Sequence, residues 1–190
     1  LALVIGDVVG HDLQAAANMS QVCNMLRAIA WEHEEPPSAV ITRLDRALVH
    51  ISEVSMATLI LARLEGGNGE PWRLRWSNAG HPPPLLIDGN GEAGFLDSGQ
   101  GVLLGADVAR GREDAEVPLP PGTTVVMYTD GLIESPGLPL DSGFAELRRN
   151  AAELVSRPVG QFCDELLRRS RPPRNEDDVA LLAVRVPAAS

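Results

Sequence analysis

The spacing of apolar residues changes four times along this chain, and these changes limit the folds that it can adopt. A short apolar run at residues 1–5 precedes two stretches in which apolar residues recur every three or four positions. The middle of the chain instead alternates apolar and polar residues between glycine-rich turns, and two more helical stretches precede a final apolar run. This order of elements is typical of a layered α+β fold and differs from that of βαβ repeats.

Four helices are predicted from the helical stretches. The first covers residues 13–33 and ends before a Glu-Glu-Pro-Pro segment, and the second is capped by Ser38. The third and fourth cover residues 144–155 and 159–170. The apolar faces of the first two helices consist of Ala15, Met19, Val22, Leu26 and Ile29, and of Ile41, Leu44, Leu48 and Ile51.

Strands are predicted at both ends of the chain and through its middle. They cover residues 1–5, 56–64, 72–76, 84–87, 93–96, 114–119, 123–129 and 178–186. Glycine-rich segments at 66–69 and 89–91 form turns between them. Two antiparallel sheets packed face to face, each with a helix pair on its outer side, would bury all the apolar stripes. We therefore expect a four-layer α-β-β-α sandwich formed by residues 1–186, followed by a tail at 187–190.

The composition argues against several classes of protein. The net charge of −10 disfavours a nucleic-acid partner, because an acidic surface repels phosphate backbones. No apolar run approaches the roughly 18 residues that span a membrane, and residues 1–5 lack the basic flank of a secretory signal. Cys23 and Cys163 lie in helical apolar patterns, where a thiol acts as a small buried side chain, so we expect a reducing, cytoplasmic setting.

Three acidic segments, far apart in the sequence, each adjoin an apolar strand. Residues 6–12 (Gly-Asp-Val-Val-Gly-His-Asp) and 128–131 (Tyr-Thr-Asp-Gly) follow strands, and residues 175–178 (Asn-Glu-Asp-Asp) precede the last strand. A strand end holds a carboxylate rigidly, and carboxylates that are brought together repel each other unless a cation lies between them. Since hard oxygen ligands suit Mg²⁺ and Mn²⁺, the sequence predicts a metal site formed by these carboxylates.

Each acidic segment also has an ordinary structural explanation when it is taken alone. Asp12 can cap a helix, Asp130 can occupy a strand-to-turn junction, and residues 175–178 can be a solvated run of charge. The metal site is favoured because all three segments lie at strand ends.

Residues 77–84, Ser-Asn-Ala-Gly-His-Pro-Pro-Pro, form a second candidate feature. The glycine before His81 and the prolines after it fix the direction of the histidine. Two interpretations stay open for this residue. It is either a polar group at the edge of the site that protonates a leaving group, or part of a hydrogen-bonded turn. His11 is expected to support its loop rather than to bind metal.

Other catalytic motifs are missing from the sequence or stand in the wrong context. Cys163 and Arg169 have the C-x5-R spacing of a cysteine phosphatase, but the residues between them are helix-forming and lack the glycines that such a loop needs. The chain contains no Lys, and therefore no P-loop. It also contains no Gly-x-Ser-x-Gly motif of the kind that presents a catalytic serine.

Taken together, the motifs resemble those of the SpoIIE-type serine phosphatases, a bacterial branch of the metal-dependent protein phosphatases related to protein phosphatase 2C. The matching segments are, in order, residues 6–11, 79–83, 128–131 and 177–178, and the resemblance extends to about residue 186. It implies an α-β-β-α sandwich and a two-metal centre that holds Mn²⁺ or Mg²⁺.

The resemblance also implies roles for single residues. Asp7 would bridge both metal ions, and the backbone carbonyl of Val8 would bind the second ion. Asp130 and Asp177 would bind the first ion. A metal-activated water would attack phosphorus in line, without a phospho-enzyme. The residues expected at the edge of the site are Asp178, His81, Gly10 and His11.

Members of this family commonly dephosphorylate phosphoserine or phosphothreonine on an anti-sigma factor antagonist, a small STAS-type domain. Many carry upstream sensor modules of the PAS or GAF type. The resemblance therefore implies such a substrate and such a sensor in the parent chain. Because the helices at 13–33 and 38–51 follow Asp7 directly, we expect a sensor to act on metal geometry by moving them.

The chain departs from the family pattern in two places. The family has an acidic Gly-Gly-Asp-type motif, which supplies a further metal aspartate, on strands before the segment that begins here at Gly6. This chain begins after that position, with Leu1, and it carries Asp12 where the family usually has Gly. We therefore expect a piece of a longer protein, with a weakened or absent second metal site, little activity, and an exposed sheet edge that pairs with a second copy.

Two other functions stay open as alternatives. A catalytically inactive relative would act as a binding or sensor module, which the intact Asp7, Asp130 and Asp177 argue against. A two-metal nuclease is disfavoured by the acidic charge.

Overall fold

The structure is a computed structural model that describes residues 1–10, 12–32, 34–51, 56–67, 69–135, 137–172 and 177–188. Within these ranges the strands are β1 Ala2–Val8, β2 Ala57–Gly67, β3 Glu70–Ala79, β4 Leu85–Ile87, β5 Ala93–Phe95, β6 Gln100–Gly101, β7 Ala115–Pro118, β8 Thr124–Tyr128 and β9 Leu181–Arg185. The helices are α1 Leu13–Glu32, α2 Pro37–Ile51, α3 Leu140–Leu154 and α4 Val159–Ser170, and a 3-10 turn spans Asp130–Leu132. Every helix in the described part of the chain is too short or too polar to span a bilayer.

Packing divides the chain into two units, each with one sheet and two helices. The first unit comprises Leu1–His81 and Ser98–Pro118, and the second comprises Pro82–Asp97 and Leu119–Ser190. The predicted α+β class is confirmed, with two antiparallel sheets and a helix pair for each.

The sheet of the first unit has the strand order β1-β2-β3-β6, and β7 also pairs with β3. The pairs β1/β2, β2/β3 and β3/β7 are antiparallel. The two-residue strand β6, which the sequence did not predict, adds a short parallel pairing to the end of β3. The predicted turn at 66–69 contains Asn68, which lies outside the described residues.

The helices α1 and α2 cover one face of this sheet. Val8, Ala57, Leu59, Leu61 and Ala79 supply the sheet side of the core, and the period of two in β2 places its members on one face. The predicted apolar faces of the helices are confirmed, since Ala15, Val22, Leu26, Ile41, Leu44 and Leu48 are buried and Met19 and Ile29 pack partly buried against them. The side chain of Ile51, also predicted on this face, is outside the described part.

The second unit repeats this plan with a sheet in the order β5-β4-β8-β9, in which every pairing is antiparallel. Most of the apolar residues that recur at helical spacing in α3 and α4 lie in the core of this unit, whereas Val159 was predicted on the apolar face of α4 and is 41% exposed. Their core members are Leu147, Ala151, Leu154, Phe162 and Leu166, which pack with Leu85, Ile87, Val126 and Tyr128 from the strands. The strand β8 is buried along its whole length, so the residues directly after it are held in a fixed position.

The first strand differs from its prediction as a buried strand at residues 1–5. Burial alternates along β1, so that Leu3 and Ile5 are buried whereas Val4 is 39% exposed. The strand also continues to Val8, because its pairing with β2 runs through Asp7↔Thr58 and Val8↔Ala57. Asp7 is therefore held within the sheet ladder rather than in the turn after it.

The predicted capping of α2 by Ser38 is wrong. The helix begins at Pro37, which suits the first position because that position needs no N–H. The amide N–H of Ser38 donates to Asp114 Oδ1 at 2.8 Å, so the helix start is satisfied by a carboxylate from a distant part of the chain.

The helix α3 begins at Leu140, earlier than the predicted start at residue 144. Gly143 lowers the helix propensity of this turn, so the start of the helix is hard to place from the sequence. The glycine has a packing reason, since a Cβ at Gly143 would lie 2.0 Å from the carbonyl oxygen of Ile133. The first turn of α3 therefore packs against backbone where only glycine fits.

A buried ion pair fixes the segment between β6 and β7 to α2. Arg112 is bound to Asp45, and their side chains are only 3% and 4% exposed. Arg112 Nη1 also donates to the Val102 carbonyl at 2.9 Å, and Asp45 Oδ1 accepts from the Gly105 N–H at 2.8 Å. These extra bonds satisfy the buried charges, as such a pair requires.

Removing one partner of this pair should destabilise the protein strongly. Arg112→Ala leaves Asp45 as an uncompensated buried charge, and we expect a loss of about 3–5 kcal/mol in the free energy of unfolding, measured by urea denaturation. The matched control is Arg168→Ala on α4, because the Arg168 side chain is 70% exposed and its removal should change stability little. Equal effects of the two substitutions would contradict a structural role for the buried pair.

Candidate metal centre

Asp7 is the penultimate residue of β1 and is half-buried. Its Oδ1 accepts a hydrogen bond from the backbone N–H of Val8 at 2.8 Å. Because the ladder with β2 fixes the backbone and this bond fixes the side chain, the carboxylate has a defined direction. The carbonyl of Val8 belongs to the same rigid strand end.

Gly6 and Gly10, on either side of Asp7, are each required for a different structural reason. A Cβ at Gly6 would lie 2.5 Å from the Thr58 carbonyl oxygen, so glycine allows the close approach of β2. Gly10 has φ +107°, which a residue with a side chain rarely adopts. Gly10 is exposed, and the predicted site-edge residue His11 lies outside the described residues.

Asp12 serves as the cap of α1. Its Oδ1 accepts from the Ala15 N–H at 2.8 Å, and its carbonyl accepts from the Ala16 N–H at 3.1 Å. This is the geometry of a helix N-cap. The residue that departs from the family pattern therefore has a local structural role.

Asp130 follows the buried strand β8 and begins the 3-10 turn. Its Oδ1 accepts from the Gly131 N–H at 3.0 Å, and its carbonyl accepts from Ile133 and Glu134, each at 2.8 Å. The sequence predicted a glycine-permitted turn here. The structure places a tighter helical turn, which holds the carboxylate at the strand end.

Asp177 lies just before β9, and its Oδ1 accepts from the Asp178 N–H at 2.9 Å. Both Asp177 and Asp178 are exposed. The two preceding residues of the predicted acidic segment, Asn175 and Glu176, are outside the described residues. The backbone carbonyl of Asp178 accepts a hydrogen bond from the Thr129 hydroxyl.

Thr129 connects the segment that carries Asp177 to the end of β8. Its hydroxyl donates to the Asp178 carbonyl at 3.0 Å and accepts from the Ala180 N–H at 2.9 Å. Its own N–H donates to the Ala180 carbonyl at 3.1 Å. Thr129 stood in the motif at 128–131, but the sequence held no sign that its hydroxyl joins two chain segments.

The structure brings Asp130 and Asp177 together. Each offers a carboxylate oxygen, and these two oxygens lie within 4.8 Å of each other. Oxygens that share one Mg²⁺ at about 2.1 Å are separated by roughly 3–4 Å, so a small side-chain adjustment lets both reach one ion. Two hard anionic ligands at this distance therefore fit Mg²⁺ or Mn²⁺.

The motif at 128–131 also contacts the Pro-rich segment through Tyr128. The Tyr128 hydroxyl donates to the Pro83 carbonyl at 3.0 Å. Burial, with a smaller effect from the negative charge of Asp97, raises the pKa of Tyr128 far above its ordinary value. The phenol therefore stays protonated and acts as a hydrogen-bond donor that fixes this segment.

His81 is buried, with 2% exposed. Its N–H donates to Asn78 Oδ1 at 2.8 Å, and Asn78 Nδ2 donates back to the His81 carbonyl at 2.8 Å. The interpretation of residues 77–84 as a hydrogen-bonded turn thus describes the backbone. The imidazole ring has a separate partner, Thr58, whose Oγ1 lies 2.8 Å from Nδ1.

Cys163 does not have the surroundings of a nucleophile. It lies within α4 Val159–Ser170, not at the start of a helix where amides would face a phosphate. Burial raises the pKa of its thiol, the charge of Asp164 raises it further, and Arg185 opposes this only in part. The rejection of a cysteine phosphatase loop is consistent with this position.

The two-sheet α+β fold is that of the phosphatases related to protein phosphatase 2C. The chain belongs to the SpoIIE family, because the model of the family described as Stage II sporulation protein E (SpoIIE) matches residues 1–187. The predicted family and its fold are confirmed.

Solved structures agree with this assignment. The structure of the RsbU and RsbW domains of Rv1364c from Mycobacterium tuberculosis is 35% identical to this chain, with a TM-score of 0.86, over 100% of this chain and 52% of that one. The PP2C phosphatase domain of SpoIIE from Bacillus subtilis, solved with a fragment of its regulatory domain, is 18% identical, with a TM-score of 0.78, over 97% and 54%. RsbX in complex with magnesium is 15% identical, with a TM-score of 0.70, over 96% and 79%.

The chain spans about half the length of the first two of these structures. At 18% and 15% identity, the similarity to SpoIIE and RsbX shows the fold alone. The short distance between the Asp130 and Asp177 carboxylates is therefore observed in this chain, and it does not depend on the similarity to those two proteins.

Replacing the Thr129 hydroxyl should loosen the segment that carries Asp177. Thr129→Val preserves shape but removes both hydroxyl bonds, and we expect a loss of about 1–3 kcal/mol in the free energy of unfolding. Hydrogen exchange should show faster exchange of the Ala180 amide, since that N–H donates to the hydroxyl. Thr129→Ser retains the hydroxyl and should retain the protection. Unchanged exchange in the valine variant would contradict this role.

Proposed function

We propose that this chain is the phosphatase domain of a metal-dependent protein phosphatase that hydrolyses phosphoserine or phosphothreonine on a regulatory protein. The observation that carries the proposal is the pair of carboxylates, Asp130 and Asp177, which lie within 4.8 Å of each other in a chain of the SpoIIE family. A hydrolase of phosphate esters needs concentrated positive charge, and such a pair can hold it.

The proposed site includes Asp7 and the backbone carbonyl of Val8, with Asp7 as the bridging ligand. Support comes from a local arrangement that all three aspartates share. In Asp7, Asp130 and Asp177 alike, Oδ1 accepts a hydrogen bond from the N–H of the next residue. Each carboxylate is therefore oriented before any metal binds, which lowers the cost of binding.

Mn²⁺ or Mg²⁺ is the proposed cofactor, and the similarity to RsbX, which was solved with magnesium, supports a divalent ion. When bound, the ions would supply a water of lowered pKa and positive charge for the phosphoryl group. The contribution of the chain is to hold the ligands rigidly, with Asp178 and Gly10 at the edge of the site. His11 is also proposed at this edge, but its position is not described.

The proposed substrate is an anti-sigma factor antagonist of the STAS type. The similarity to a chain that combines an RsbU domain with an RsbW domain supports a partner in this regulatory pathway. A sensor domain in the same parent protein and a cytoplasmic location complete the proposal. The thiols of Cys23 and Cys163 are both free, which fits a reducing compartment.

The test compares the full-length protein with its Asp130→Asn variant. With Mn²⁺ present, the wild type should release phosphate from a phosphorylated antagonist. Asp130→Asn should lose about 100-fold or more in kcat/KM, because it lacks an anionic metal ligand. Calorimetry should show a matching loss of Mn²⁺ affinity. Chelation of the metal should abolish activity in the wild type.

The matched control is Asp164→Asn, which makes the same chemical change at an exposed position of α4. It should retain full activity. If Asp130→Asn is as active as the wild type, the site assignment fails. If the wild type binds no Mn²⁺ and releases no phosphate from any phosphoserine protein, the alternative of an inactive binding or sensor module replaces the proposal.

A further inference from the structure

Thr58 and Asp7 are direct partners across the antiparallel pair β1/β2. Directly opposed residues project from the same face of a sheet, with Cβ atoms about 5 Å apart. This face is the one turned away from α1 and α2, because the neighbouring pair Val8 and Ala57 belongs to the core under those helices. The hydroxyl of Thr58 is therefore a neighbour of the Asp7 carboxylate.

The position of this hydroxyl is set by His81. Thr58 Oγ1 lies 2.8 Å from His81 Nδ1. The peptide of His81 is held by the two reciprocal bonds with Asn78, each 2.8 Å long. Since His81 is 2% and Asn78 is 1% exposed, neither side chain exchanges these partners for water.

Because the Thr58 hydroxyl has a single proton, its hydrogen bond with His81 can have either of two directions. If Nδ1 accepts, the proton points to His81, and only the oxygen lone pairs can face Asp7. Those lone pairs would repel an ionised carboxylate. If Nδ1 carries a proton and donates it, the Thr58 proton is available to Asp7, and the charged carboxylate strengthens that bond.

We propose that His81 and Thr58 are positioning residues for Asp7, with His81 donating from Nδ1 to Thr58 and Thr58 donating to Asp7. The role rests on the proposed function, in which Asp7 is a metal ligand. The Val8 N–H already binds Asp7 Oδ1 at 2.8 Å, and a second donor fixes the plane of the carboxylate. Hydrogen bonds to a metal ligand typically change metal affinity about 10–100-fold.

The direction of the bonds is tested by NMR on the metal-free protein, independently of any activity. Long-range correlation between the ring protons and the ring nitrogens of His81 reports which nitrogen carries hydrogen. The expected result is a protonated Nδ1. A neutral ring with its proton on Nε2 and a bare Nδ1 would overturn the proposal.

The effect on the metal site is tested by calorimetric titration of Mn²⁺ into the wild type, Thr58→Val and Thr58→Ser. Thr58→Val keeps the branched shape without the hydroxyl, and its Mn²⁺ affinity should fall about 10–100-fold. Thr58→Ser restores the donor and should bind within about 3-fold of the wild type. Thr123→Val is the matched control, because Thr123 is 1% exposed and its hydroxyl has no partner among the described residues.

The outcomes separate this proposal from the proposed function. If Thr58→Val lowers stability but leaves Mn²⁺ affinity unchanged, Thr58 is merely structural and the positioning role is refuted. Equal losses in Thr58→Val and Thr123→Val would refute it as well. If the wild type binds no Mn²⁺, the proposed function fails, and the NMR measurement alone decides the direction of the hydrogen bonds.

Discussion

Repulsion between carboxylates held next to a buried strand is the constraint on which the rest of this structure depends. Two unit charges about 5 Å apart repel each other by about 1 kcal/mol in water, and by more where water is displaced. A flexible segment would relieve that repulsion by moving apart. Here β8 is buried along its length, and Thr129 joins its end to the segment before β9, so Asp130 and Asp177 stay together. The fold preserves an unfavourable contact that a bound divalent cation, as proposed here, would turn into a favourable one.

The local geometry at each aspartate explains how the carboxylates are held in place without a large network of hydrogen bonds. One oxygen binds the next backbone N–H in Asp7, Asp130 and Asp177, although the first lies in a strand, the second starts a 3-10 turn and the third lies in an irregular segment. The bond needs only the aspartate and its own peptide. The same short arrangement can therefore be placed at the end of any strand.

Prediction from the sequence succeeded where a local pattern determines the result. The apolar face of α1 was predicted from the spacing of Ala15, Val22 and Leu26, and that of α2 from the same spacing of its own apolar residues. The end of strand β8 was predicted from Asp130 and Gly131. Prediction failed where a partner comes from a distant segment. The start of α2 is satisfied by Asp114, and Thr58 meets His81 only through the register of β2 and β3. The spacing of residues within one segment does not determine how β2 and β3 are aligned.

Asp12 has a consequence for the binding of anions near Asp7. A helix N-terminus offers free N–H groups and a positive dipole end, which together attract anions. The helix α1 begins only a few residues after Asp7, so an open N-terminus there would attract an anion to this part of the chain. Because Asp12 Oδ1 already accepts from the Ala15 N–H, the chain places its own negative charge at that end. An anion that approaches the start of α1 therefore meets repulsion, and under the proposed function this repulsion would favour the release of phosphate.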